Sequence, residues 1–160
     1  MRWMGLLGAV VLIAAGCGDD GDQIDYKREC PVGDDAEPCQ IFHLVNQERA
    51  SVGLEPYDWD PALALAAQSH CEDMVKNDYF SHTGADGSSF SDRAYAAGYD
   101  GSPRGENIAQ GYASPELTME QWMESTEGHR ENILASGSDE IGVGFCGGNT
   151  WVQVFGRSEQ

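Results

Sequence analysis

The spacing of apolar residues divides this chain into an unbroken run, a polar stretch, a helical middle and an alternating end. Met4 to Ala15 is continuously apolar but too short to span a bilayer as a helix. Gly18 to about Pro38 has almost no large apolar residue and cannot build a core. From Cys39 to Ser51, Ile41, Leu44, Val45 and Glu48 fall at helical spacing, and Val52-Gly53 ends that helix. After a turn at Leu54–Tyr57, Asp60 caps a second helix with Pro61 at its first position. This helix runs to about Asn77, with Leu63, Ala66, Ala67, His70 and Met74 on one face. His70 therefore reads as a packed histidine rather than a ligand, and His43 in the first helix reads the same way.

Tyr79 to Gly87 has no period and is expected to be a loop, followed by a short helix from Ser89 to Ala97 that Gly98 stops. Gly105 to Gln110 is expected to be short, irregular or extended. Ser114-Pro115 opens a helix to about Ser125, and a shorter one covers Gly128 to Leu134. Ile141, Val143 and Phe145 then alternate with Gly142, Gly144 and Cys146, and Trp151 to Phe155 forms a second strand. Gly147-Gly-Asn149 between them is a hairpin signal. Helices first and an antiparallel hairpin last predict an α+β fold.

Composition narrows the class. With 27 acidic residues against nine basic, a formal charge of −18, the chain lacks the basic footprint that nucleic acid requires. The N-terminal run ends at Ala14-Ala15-Gly16-Cys17, small residues before one Cys, which resembles a bacterial lipobox. Residues 1–17 then read as a lipoprotein signal peptide, 18–38 as an acidic tether and 39–160 as the folded domain. Lipidation of Cys17 would anchor the protein to a membrane of the cell envelope without a transmembrane helix. The residue after Cys17 is not Asp, which favours the outer membrane or cell surface. With Cys17 lipidated, Cys30, Cys39, Cys71 and Cys146 remain, an even set suited to an oxidising compartment. Three pairings are open; the short spacing favours Cys30–Cys39 and leaves Cys71–Cys146.

Five motifs now stand in order: Phe80-Ser-His-Thr-Gly-Ala-Asp-Gly87, Gly105-Glu-Asn-Ile-Ala109, Trp122-Met, Gly128-His-Arg-Glu-Asn-Ile-Leu134 and Ile141-Gly-Val-Gly144. Together they resemble the CAP superfamily of cysteine-rich secretory, venom-antigen and pathogenesis-related proteins, in its bacterial SCP-domain form. The resemblance covers about Ile41 to Gly156 and implies a three-layer α-β-α sandwich with a small antiparallel sheet between helices. It also implies a cleft lined by two His and one or two Glu, able in some members to hold a divalent ion such as zinc. His82 matches the first His, Glu106 the first Glu and His129 the second His. Glu124 and Glu127 both lie near the place of a second Glu, and neither falls in clean register.

Two neutral imidazoles and a carboxylate are a plausible zinc set, and they could equally act as a general acid–base pair without metal. Neither His-Glu-x-x-His nor Gly-x-Ser-x-Gly is present, so no familiar hydrolase motif supports turnover. The favoured expectation is a binding module whose cleft takes a lipid, sterol-like or cell-envelope ligand, with or without metal. A metal-assisted hydrolase and a non-catalytic adhesion lipoprotein are the alternatives. Trp122 and Ile133 read as core anchors and Asn132 as a loop brace. Oligomeric state is not legible.

Overall fold

A computed structural model describes residues 28–34 and 36–159. The segments expected to be a signal peptide with Cys17 and the first part of an acidic tether lie outside the described residues. The chain forms α1 (Glu37–Ser51), β1 (Asp58–Trp59), α2 (Pro61–Lys76), α3 (Phe90–Ala96), β2 (Ser102–Gln110), α4 (Pro115–Glu124), α5 (His129–Ile133), β3 (Glu140–Cys146) and β4 (Thr150–Arg157). Among the described residues no helix is long and apolar enough to cross a membrane.

The helix starts are set locally. The Asp60 carboxylate accepts from the Leu63 amide at 2.7 Å and Ser114 Oγ from the Leu117 amide, each ahead of a proline that lacks the N–H a first turn leaves unsatisfied. Ser89 and Asp92 form a reciprocal capping box on α3. The apolar face expected on α2 is buried as expected, with Leu63, Ala66, Ala67, His70, Cys71 and Met74 inside.

The sheet runs in the order β1-β3-β4-β2, with β3–β4 and β4–β2 antiparallel. Alternate residues of each strand serve two cores. Ile141, Val143, Trp151 and Phe155 meet α1 and α4, whereas Ile108, Val152 and Val154 meet α2 and α3. These are the three layers expected. Gly142 and Gly144 let α2 lie directly on β3, since an added Cβ would stand 2.0 Å from the Ala64 amide nitrogen or 2.5 Å from that of Gln68.

Two features depart from expectation. The sheet is mixed, because β1 pairs parallel with β3 through Asp58↔Glu140 and Trp59↔Ile141. Two residues carry no period, so this strand is invisible in the sequence. The segment expected to be short is a nine-residue strand, β2, whose alternation is hidden by Pro103, Gly105 and buried polar Glu106 and Asn107. A register shift between Pro103 and Gly105 further interrupts it.

Both disulfides form as the spacing favours, Cys30–Cys39 and Cys71–Cys146. The second joins α2 to β3 across 75 residues, a loop length that corresponds to about 4 kcal/mol in the chain-entropy account. The first, together with the Arg28–Asp58 and Asp34–His43 contacts, ties residues 28–34 to the domain.

Candidate functional site

Glu106 is the centre of the site. It lies on the face of β2 that meets α2 and α3, and its side chain is only 1% exposed. One carboxylate oxygen accepts from Arg93 Nη2 at 2.7 Å and the other from His82 Nδ1 at 2.9 Å. The His70 ring approaches the second oxygen to 3.9 Å. A buried carboxylate needs such partners to stay charged.

The loop carrying His82 is held from three sides. Arg93 also donates to the carbonyls of His82 (3.0 Å) and Ser88 (2.8 Å). His70 Nε2 donates to the Ser81 carbonyl at 2.9 Å. Because a carbonyl can only accept, the proton of neutral His70 sits on Nε2, and its buried Nδ1 has no partner among the described residues. Burial lowers the pKa of His70 despite the neighbouring Glu106 charge, so the ring is held neutral. Asp73 on α2 takes the Tyr79 hydroxyl and the Ala85 amide. Those bonds, Tyr79's first, hold its carboxyl below the usual range. The expectation that His70 is packed therefore stands, with one addition: it supports the His82 loop.

His129 opens α5 beside the edge of β2. Asn107 donates to the His129 carbonyl at 3.0 Å, and Asn132 donates to Asn107 Oδ1 at 2.9 Å, pinning α5 to the strand. Gly105 is needed here, because a Cβ would meet Asn132 Oδ1 at 2.9 Å. His129 Nδ1 lies 3.0 Å from Ser125 Oγ. Its pKa is lowered, first by burial and then by the nearby His82. Trp122 and Ile133 are fully packed, as core anchors should be, and Asn132 is the brace expected.

A cleft of about 590 Å³ opens along the end of β2. Ile108, Ala109 and Gln110 line it, with Phe80 on one side and Gln121, Glu124, Glu127 and His129 on the other. Glu124 and Glu127 thus both border the cleft. Glu106 and His82 lie next to it without lining it.

A divalent ion needs several free donor atoms converging on one point. Both Glu106 oxygens are engaged, one by a cation, and among the described residues no three His, Cys, Asp or Glu side chains converge to hold an ion. The three-ligand arrangement does not fit this geometry. What the arrangement does offer is two imidazoles whose Nδ1 atoms are engaged and whose Nε2 atoms have no partner among the described residues, the orientation that outer-shell partners give metal-binding histidines. Sequence reasoning did not find Arg93, Asn107 or the role of His70. The one legible signal was a lone cation in α3 of a strongly acidic chain.

The comparisons agree with this architecture. The chain is 38% identical over 117 residues to YkwD, an uncharacterized protein of Bacillus subtilis strain 168, covering 72% of this chain and 45% of that protein. It is 40% identical over 105 residues to YlbC, an uncharacterized membrane protein of the same organism, covering 66% and 30%. The chain therefore spans less than half the length of these relatives. An extracellular SCP-domain protein of Bacillus anthracis superposes with a TM-score of 0.71 at 34% identity, over 74% of this chain and 39% of that one. An outer surface protein of Borrelia burgdorferi shares the fold, with a TM-score of 0.68 at 20% identity over 79% and 96%. The cysteine-rich secretory protein family, CAP, matches residues 42–155, the span that holds every cleft residue described above. The chain belongs to the cysteine-rich secretory protein (CAP) family.

Proposed function

We propose that this is an exported, lipid-anchored binding protein of the bacterial cell envelope whose cleft beside His129 takes a lipid-like or other envelope ligand. The observation that carries the reading is the cleft itself: about 590 Å³, within the range of small-ligand sites, with His129 on its wall and the Glu106–His82 pair adjoining it. Export is supported by the apolar leader ending at Cys17 and by two disulfides, which persist in oxidising compartments. Relatives described as extracellular or outer-surface proteins point the same way. A divalent ion such as zinc would be held by Nε2 of His82 and His129, with Glu106 orienting His82 rather than ligating.

Zinc titration calorimetry on wild type, His82→Ala and His129→Ala tests the metal half. Saturable uptake by wild type that each substitution weakens at least about tenfold is expected, since each removes one of two protein ligands. Uptake unchanged in both variants would refute the imidazole pair. Metal-dependent turnover of a peptide panel, lost in both variants, would move the reading to a hydrolase.

A further inference from the structure

We propose that the cleft binds an extended peptide as an added strand on the edge of β2, and that it prefers an apolar–cationic–apolar sequence. The inference rests on the reading of this cleft as a ligand site and names the class of ligand.

The sheet order leaves β2 at an edge. In an antiparallel pair, alternate residues turn their amide edges toward the partner and away from it. The Gly111 amide donates to the Asn149 carbonyl at 3.0 Å, which extends the β2–β4 ladder and assigns odd-numbered residues of β2 to β4. Even-numbered residues face outward. Two side-chain contacts agree: Asn132 donates to the Glu106 carbonyl at 3.4 Å and Trp122 Nε1 to the Ile108 carbonyl at 3.3 Å. Those contacts cap the outer edge as far as Ile108 and stop there. The N–H of Ile108, between the two capped carbonyls, and the N–H and carbonyl of Gln110, beyond them, face the cleft. No described residue bonds to them. An open strand edge of this kind is a template for main-chain pairing.

The walls on either side sort the side chains of an added strand. Residues directly opposite one another in a ladder point to the same face of the sheet. Ligand residues paired with Ile108 and Gln110 would therefore project toward the α2 and α3 layer, where Phe80 is 48% exposed. The residue between them, opposite Ala109, would project toward α4, where Glu124 and Glu127 line the cleft. Among the described residues no Lys or Arg lines it, and Arg130 next to His129 turns to the Met123 carbonyl. Charge selects a cation for the middle position. It also disfavours the first part of the chain's own tether, which carries Asp19, Asp20, Asp22 and Asp25 and has no cation before Lys27.

The test is fluorescence anisotropy of a labelled Ala-Val-Lys-Val-Ala amide titrated with the wild-type chain. The expected result is saturable binding that falls at least about tenfold when Glu replaces the Lys of the probe, the size of one charge-assisted contact. Gln110→Pro removes one outward N–H at an edge position where proline is tolerated, and should cost about tenfold, while Gln110→Ala should cost far less. Absence of saturable binding by wild type, or equal affinity for Gln110→Pro and Gln110→Ala, overturns the proposal. If Gln110→Pro does not fold, N-methylation of each probe amide in turn decides the point: loss at one amide supports the added strand, and loss at none overturns it. A chain that takes zinc as proposed above but ignores the probe refutes this inference alone. A chain that does neither refutes this inference and the imidazole metal pair.

Discussion

Replacing Arg93 by Met would strip the buried Glu106 carboxylate of the one Arg or Lys bonded to it among the described residues. The two side chains are 11% and 1% exposed and meet at 2.7 Å, so neither reaches bulk water easily. At an effective dielectric of about 20, unit charges about 4 Å apart attract by roughly 4 kcal/mol, and breaking a buried pair on one side costs roughly 3–5 kcal/mol. Arg93→Met should therefore lower the unfolding free energy by about that amount. Glu106→Gln should cost less, about 1–3 kcal/mol, because Arg93 retains the Ser88 and His82 carbonyls and is the more exposed partner. The double variant should recover part of the loss, since the carboxylate stranded by the first change is gone. Urea melts of all four proteins, combined as a double-mutant cycle, should give a coupling of at least about 1.5 kcal/mol. Additive losses, within about 0.5 kcal/mol, would show that the pair is not coupled and that Glu106 is stabilised by other means.

Two further outcomes follow from the geometry. Gly142→Ala should lower the melting temperature sharply, at a cost of about 2–3 kcal/mol, because the new methyl meets α2 backbone that cannot rotate away. Gly137→Ala, with nothing within 4 Å of its Cβ, should be neutral when both are measured by thermal melting. The pKa of His70 is depressed by burial, against Glu106 and Asp73 and together with Arg93, and that of His129 by burial and His82, against Glu127 and Glu131. The unfolded chain binds protons near pH 6.5 that the folded chain refuses, so this contribution to stability is intact above about pH 6.5 and is lost as pH falls below it. Urea midpoints at pH 7.5 and 5 should show the loss, and His70→Gln should make it smaller; an unchanged difference would refute the assignment to His70.

The difference between what was legible and what was not is physical. Helix starts at Asp60, Ser89 and Ser114 follow from side chains bonding amides three residues away, and the apolar face of α2 follows from its own period. Such features depend on neighbours in sequence, so the sequence determined them; it only favoured the two disulfides among three open pairings, and the layers were implied by the family resemblance. The family resemblance, not the residue pattern by itself, pointed to His82, Glu106 and His129 as residues of one region. What Glu106 does there was decided by tertiary contacts. Arg93, thirteen residues away on another element, occupies one of its oxygens and His82 the other, which makes it an orienting group and not a free third ligand. The parallel pairing of β1, the strand character of β2 and the open edge beyond Ile108 were decided in the same way. Each depends on which strand or side chain arrives from a distant part of the chain. A local pattern of apolar and polar residues carries no record of that arrival.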